Sequence, residues 1–350
     1  MMMRYRLVFF CAMCLVMIAG RSAIGAEKRA VLSGSLEKWH TVTLTFDGPQ
    51  ASESGEPNPF RDYRLNVTFA KGGRQYVVPG YYTADGNAAQ SSATAGNKWR
   101  VHFVPDEEGL WSFDSSLRTG PDIALSTDPS AGVATSFNGV NGKFEVGPTD
   151  ETGRDHRAKG LLRYVGEHYL KYAETGQYYL KGGADSPENF LAYADFDGTY
   201  DASADSGSYK DVGTFIHKYE PHVRDWQAGD PTWKNGKGKG IIGALNYLAS
   251  KGMNSVYFLT YNIDGGDGRD TWMWTSSKVR DRYDCSKLDQ WEIVFEHMDR
   301  LGIMLHVVTQ ETENDRKLGG SAVHVLEDDF PLVELAANIP VADFRARPHP

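Results

Sequence analysis

Ile241-Ile242-Gly243-Ala244-Leu245-Asn246-Tyr247-Leu248-Ala249 runs into Lys251-Gly252, and Ser255-Val256-Tyr257-Phe258-Leu259-Thr260-Tyr261 follows, ending in Asn262. The first run places apolar side chains at helical spacing, and the glycine beyond it suits a left-handed cap. The second run is apolar without alternation, as in a strand buried on both faces. The same order returns further on. Residues 288–300 carry Trp291, Val294, Phe295 and Met298 at helical spacing and stop at Leu301-Gly302. Ile303-Met304-Leu305-His306-Val307-Val308-Thr309 then forms a second buried strand ending in Gln310-Glu311. Tyr178-Tyr179-Leu180-Lys181-Gly182-Gly183 reads as an earlier strand of the same sheet, and its end is polar from Asp185 to Asn189. Helix, glycine, buried strand and polar end, repeated, predict a parallel α/β sheet. A (β/α)₈ barrel builds its site on the loops after the strands. An open doubly wound sheet also binds there but usually shows a glycine-rich phosphate turn after a strand. Lys237-Gly238-Lys239-Gly240 precedes a helix yet follows no predicted strand, so the barrel is the preferred expectation and the open sheet its rival.

Upstream, alternation takes over. Trp39-His40-Thr41-Val42-Thr43-Leu44-Thr45-Phe46, Tyr63-Arg64-Leu65-Asn66-Val67-Thr68-Phe69 and Trp99-Arg100-Val101-His102-Phe103 alternate with period two. Asp47-Gly48-Pro49, Lys71-Gly72-Gly73, Asp85-Gly86-Asn87 and Glu108-Gly109 separate them as turn clusters. Trp111-Ser112-Phe113 and Phe144-Glu145-Val146 read as late strands. Short alternating strands between regular turns predict an antiparallel sandwich. Residues 114–140 are rich in Ser, Thr, Gly and Asp and are expected to form a long loop, and residues 147–160 a linker. Residues 161–171 and 177–181 are expected to form a short hairpin leading into the second block.

The formal charge of −9 and the lack of a basic stripe argue against a nucleic-acid partner. Arg4 and Arg6, the apolar residues 7–19 and Ala23-Ile24-Gly25-Ala26 read as an export signal cleaved after Ala26. An uncleaved anchor is the rival reading, weakened by the short apolar core. No later segment is apolar and long enough to span a bilayer. Cys11 and Cys14 fall inside the signal, which leaves Cys285 alone and no intramolecular disulfide. Cys285 is expected to be a small buried residue. Asn66-Val67-Thr68 has the form of a glycosylation acceptor but lies in a strand.

A resemblance overlies these readings. Phe46-Asp47-Gly48-Pro49, Asn58-Pro59-Phe60, Val78-Pro79-Gly80-Tyr81, Asp85-Gly86 and Trp99 to Pro105, running through Gly109-Leu110-Trp111, resemble an immunoglobulin-like domain of unknown function, of type 5060. That domain precedes glycoside hydrolase-like TIM barrels in exported bacterial proteins. Lys181-Gly182-Gly183-Ala184-Asp185-Ser186-Pro187-Glu188-Asn189-Phe190-Leu191, His222-Val223-Arg224-Asp225-Trp226, Gly229-Asp230-Pro231-Thr232-Trp233 and Gln310-Glu311-Thr312-Glu313-Asn314-Asp315 are similar to those barrels. The resemblance covers roughly residues 36–317. It implies a multidomain chain: signal 1–26, Ig-like antiparallel β-sandwich 36–147, linker 148–160, the N-terminal part of an incomplete α/β, TIM-barrel-like domain 161–317, and an atypical tail 318–350. It also implies that the acid/base glutamate lies on a later strand. The tail lacks Tyr, Trp and Lys and offers no further helix-strand unit. A frameshift or sequence error near Leu318 is the hypothesis, and a genuine alternative ending its rival.

Glycoside hydrolysis needs two carboxylates across the scissile bond. Asp185, Glu188, Glu311 and Glu313 follow predicted strands, with Asn189, Asn262, Gln310 and Asn314 beside them as hydrogen-bonding amides. Trp272 and Trp274 sit on the loop after Asn262, where an exposed indole would stack on a sugar ring. These ten residues are the candidate substrate-binding set for an oligo- or polysaccharide; no catalytic residue is assigned. The competing readings are that Glu188 caps a turn, Glu313 pairs with Arg316, and the tryptophans, Trp226 and Trp233 above all, pack loops. The acidic loops at Asp195-Phe196-Asp197-Gly198 and Asp264-Gly265-Gly266-Asp267-Gly268-Arg269-Asp270 lack EF-hand spacing and are expected to be turns. His217, His222, His297 and His306 show no metal-ligand spacing, and no cofactor motif is present. The expected function is that of an exported, glycoside hydrolase-like, catalytically incomplete carbohydrate-active protein. A non-catalytic glycan- or matrix-binding module is the alternative.

Overall fold

The structure, a computed structural model, describes residues 30–184, 187–202, 214–260, 270–279 and 281–308. In chain order the strands of the first half are β1 (Ala30–Ser33), β2 (Val42–Ser52), β3 (Tyr63–Lys71), β4 (Arg74–Pro79) and β5 (Tyr81–Tyr82). After the one-turn helix α1 (Ala88–Ser91) come β6 (Ala95–Phe103), β7 (Gly109–Thr119), β8 (Val133–Ala134) and β9 (Asn141–Val146). They form two antiparallel sheets. One has the order β1-β2-β6-β5; the other runs β4-β3-β7-β8, with β9 on β7.

Alternation explains how the sheets face each other. Val42, Leu44 and Phe46 of β2 lie opposite Phe103, Val101 and Trp99 of β6, and all six are buried. Leu65, Val67 and Phe69 of β3 pair with Leu117, Ser115 and Phe113 of β7. Phe69 of one sheet stacks on Phe103 of the other at 4.2 Å, and Trp111 meets Phe103 edge-on at 4.9 Å. The β3–β4 hairpin closes through Gly72 and Gly73, both at positive φ, as a two-residue turn between antiparallel strands requires.

Two expectations fail here. Asp47-Gly48-Pro49 is not a turn: β2 runs on to Ser52 with an irregularity between Asp47 and Ala51. A Cβ on Gly48 would lie 2.3 Å from the Trp99 ring, so the glycine makes room for the indole. Residues 114–140 are not one long loop either. β7 continues to Thr119, β8 pairs with it, and Ile123–Leu125 form a 3-10 turn. The Arg64 and Arg118 guanidiniums tie down the connection by donating to carbonyls of Ser126, Asp128, Pro129, Ser130, Ala131 and Gly132.

The second half opens with α2 (His156–Lys159), β10 (Leu162–Arg163) and β11 (Lys171–Tyr172), the last two paired antiparallel. Only isolated bridges and backbone bonds continue the expected hairpin, among them Lys171 with Tyr178. Then come β12 (Gly183–Ala184), α3 (Lys239–Ser250), β13 (Ser255–Leu259), α4 (Cys285–Leu301) and β14 (Met304–Val308). β12, β13 and β14 are parallel neighbours in sequence order. Both helices precede their strands as the repeat predicts, and Gly252 and Gly302 adopt positive φ at the helix ends. The earliest strand is shorter than expected, because only Gly183 and Ala184 pair with β13. A Cβ on Gly183 would lie 1.9 Å from the Ser255 carbonyl oxygen, which shows how closely the two backbones approach. Among the described residues this sheet has three strands and does not close on itself. No described helix is long and apolar enough to cross a membrane.

α4 joins the halves. Leu288, Trp291, Phe295 and Met298 pack with Phe258 and Ile303, as the helical spacing predicts. The other stripe, Cys285, Asp289 and Glu292 at spacings of four and three, is buried too. It lies against the outward face of β5 and β6. Asp289 Oδ1 sits 3.7 Å from the Arg100 guanidinium and accepts from the Thr83 hydroxyl at 3.4 Å. Glu292 Oε1 lies 2.9 Å from His102 Nε2. The Cys285 backbone N–H donates to Glu53 at 2.8 Å. Phe60 meets Tyr283 edge-on at 5.1 Å, and one continuous apolar core runs through both halves.

Candidate functional site

The C-terminal ends of the parallel strands bring together Glu188, Asn189 and His217. The Leu259 N–H at the end of β13 donates to the Glu188 carbonyl at 2.9 Å, so the segment after β12 runs beside the end of β13. Glu188 is partly exposed and Asn189 is buried. His217 is brought in by backbone pairing: its N–H donates to the Ala192 carbonyl at 2.7 Å, and its carbonyl accepts from Ala194 at 2.9 Å.

The tautomer follows from the partners. The Asn189 side-chain N–H donates to the Phe215 carbonyl at 3.2 Å, which turns Oδ1 toward His217 Nε2 at 2.7 Å. An amide oxygen only accepts, so Nε2 carries the hydrogen and Nδ1 keeps its lone pair. The imidazole stacks on Tyr219 at 5.0 Å, and the Tyr219 hydroxyl donates to the Phe190 carbonyl at 3.0 Å. Burial lowers the His217 pKa and favours the neutral ring. A half-buried neutral imidazole can accept a hydrogen bond or a proton from a hydroxyl group.

The other sequence candidates fare unequally. Asp185, Asn262, Gln310, Glu311, Glu313 and Asn314 lie outside the described residues. Trp272 and Trp274 are described and correct the expectation: they are 1% and 5% exposed and offer no open stacking face. Tyr200 covers the Trp272 ring edge-on at 4.9 Å, and Lys287 Nζ lies 5.0 Å from its centroid. The cause lies in α4. Lys287 is almost fully buried and donates to the carbonyls of Gly198 and Trp272 at 3.2 and 3.3 Å, drawing the tryptophan loop inward. Burial brings the Lys287 pKa down to about 8, against the pull of Asp284 and Asp197.

Trp233 packs as expected, stacked on Phe196 at 5.2 Å, and Trp226 lies under Lys239 Nζ at 4.3 Å. The first acidic loop is not merely solvated. Asp195 accepts from the Tyr193 hydroxyl and the Gly238 N–H, and Asp197 pairs with Lys234. Asp270, from the second, accepts from the Ala202 N–H at 3.0 Å; residues 264–269 lie outside the described residues. Cys285 is free and buried, and burial raises its thiol pKa well above the usual value, as a packing residue requires.

A second group of ionisable side chains went unread in the sequence. Glu53 is buried close to Asp284. Burial, then the Asp284 charge, pushes its pKa up to about 7. It holds the first turn of α4 and has a structural role.

Comparison with known proteins gives two findings. The family described as Domain of unknown function (DUF5060) matches residues 35–118, less than half of the chain and most of the sandwich. Among solved structures, the chain is similar to "a putative glycoside hydrolase" from Bacteroides vulgatus ATCC 8482, with 19% identity and a TM-score of 0.45. That alignment covers 78% of this chain but 40% of the other, so the chain spans well under half of that protein's length. No curated protein matches the chain.

Proposed function

We propose that this chain is an exported bacterial carbohydrate-active protein of glycoside hydrolase-like architecture. In this reading an Ig-like sandwich precedes the first β/α units of a TIM-type barrel. The observation that carries it is the Glu188, Asn189 and His217 group at the C-terminal ends of a parallel sheet directly behind a DUF5060 sandwich. Strand ends of parallel sheets are where such folds bind ligands. A sugar offers many hydroxyls, and the partners here suit them: a carboxylate, an amide-oriented imidazole and a free Nδ1 lone pair. Export rests on the charged, apolar and small-residue succession of residues 4–26.

Glycosidic hydrolysis needs an acid and a nucleophile or base. Glu188 is the one carboxylate among the described residues that immediately follow the parallel strands. A non-catalytic glycan- or matrix-binding module is the second reading. The test is incubation of the purified chain with a panel of polysaccharides, scoring both retention and release of reducing ends. Retention without release supports the binding role. Release abolished by Glu188→Gln supports a hydrolase. Neither retention nor release on any glycan rejects the carbohydrate reading.

A further inference from the structure

Two segments that flank the sandwich meet. The chain approaching β2 and the chain leaving β9 run parallel for one bridge, Glu37 with Gly147. Lys38 N–H donates to the Gly147 carbonyl at 2.9 Å, and Gly147 N–H donates to the Leu36 carbonyl at 2.8 Å. This pairing holds Glu37 and His40 of the first segment against Thr149 and Asp150 of the second. One ligand atom each from Glu37, His40 and Asp150 lies within 4.8 Å of the others.

The group carries more acceptors than it has hydrogens to satisfy. His40 is buried, and its Nε2 lies 3.3 Å from Glu37 Oε2 and 3.1 Å from Thr149 Oγ1. A neutral imidazole has one N–H to give, whereas two ionised carboxylates only accept. Arg157 does not relieve the shortage. Its guanidinium is engaged by Asp155 at 2.6 Å and Glu151 at 2.7 Å. A metal ion would relieve the shortage. Ligand atoms about 2.0–2.1 Å from a tetrahedral zinc ion stand about 3.3 Å apart, the separation between His40 Nε2 and Glu37 Oε2. Asp150 is exposed and free to close in, and the Thr149 hydroxyl or a water supplies a fourth oxygen. One imidazole nitrogen among oxygens favours a transition ion over calcium or magnesium.

We propose that Glu37, His40 and Asp150 form a binding site for a divalent transition-metal ion, zinc by preference, which staples the segment leading into the sandwich to the segment leaving it. This site is independent of the glycan reading. The experiment is calorimetric titration of the chelator-stripped full chain with zinc chloride, alongside Glu37→Gln, His40→Ala and Asp150→Asn. One equivalent should bind, the melting temperature should rise with saturation, and each variant should weaken binding at least tenfold. X-ray absorption of the loaded protein should show one imidazole nitrogen among oxygen neighbours. Because His40 is buried, its variant can fail to fold; Asp150→Asn alters an exposed side chain and keeps the test decisive. No saturable uptake overturns the proposal. So does uptake that Asp150→Asn and Glu37→Gln leave unchanged, which would place zinc elsewhere among the ten histidines. Preference for calcium or magnesium over zinc overturns it as well.

Discussion

Replacing Glu292 by alanine should show what α4 does for the fold. Glu292 and His102 are both buried, and their contact at 2.9 Å joins the second half of the chain to the sandwich. A carboxylate only accepts, so His102 Nε2 carries the hydrogen; the Tyr81 hydroxyl also lies 2.5 Å from Nε2, and the Thr43 hydroxyl lies 2.9 Å from Nδ1. Removing one member of a buried, hydrogen-bonded pair costs about 3–5 kcal/mol, because the other is left without its partner. That is a large fraction of the 5–15 kcal/mol typical of a folded protein. Urea unfolding of Glu292→Ala should therefore show a midpoint shift of that size. In a double-mutant cycle with His102→Ala the two losses should fall short of additivity by roughly 1–3 kcal/mol. The pH dependence has a definite sign. Burial raises the Glu292 pKa, but His102 and then Arg100 outweigh it, and the net value lies below 4.5. A depressed carboxylate contributes stability above its unfolded pKa and loses it as pH falls through the folded one. The gap between native and Glu292→Ala should thus be full at neutral pH and narrow below about pH 4. A loss under about 1 kcal/mol with strict additivity would refute the reasoning, since that is how an exposed pair behaves.

Glu53 should act in the opposite sense. Its folded pKa of about 7 lies above the ordinary 4.5, so its ionisation weakens the fold as pH rises through that window. Glu53→Gln keeps an acceptor for Cys285 N–H and should gain up to about 3 kcal/mol at pH 8, vanishing by pH 4, in thermal melts across pH. Gly243→Ala tests sterics against propensity. Alanine favours a helix interior by about 1 kcal/mol, but its Cβ would lie 1.9 Å from the His222 carbonyl oxygen. Denaturant unfolding should show a net loss of stability. Trp291→Ala should cost about 3–5 kcal/mol in the same assay, because the indole is fully buried in the core of the second half, against Phe196 and Phe295.

The repeat of helix, glycine and strand was readable because each element carries its own periodicity and stop. α3, β13, α4 and β14 fall where residues 241–309 place them. The sandwich strands were readable for the same reason. Less visible was anything that depends on a partner far along the chain. The outward positions of β6 carry Lys98, Arg100 and His102. The face of α4 that meets them carries Asp289 and Glu292. Their complementary charges were the available signal, and only the packing shows that the two faces meet. Trp272 and Trp274 looked like stacking platforms because loop composition does not reveal that Lys287 draws their loop inward. Asp47-Gly48-Pro49 had turn residues, but Gly48 serves the Trp99 ring from inside a strand. His217 was visible but had no assigned role, because its partner Asn189 is 28 residues away.

The central claim is that the strand ends around Glu188, Asn189 and His217 bind carbohydrate. The most direct measurement is calorimetric titration of the full chain with the oligosaccharide best retained in the glycan panel, repeated with Glu188→Gln and His217→Ala. The account predicts saturable binding by the native chain and at least a tenfold loss in each variant, with melting temperatures that rule out unfolding. Equal affinity in the native chain and both folded variants would contradict it and move the site elsewhere.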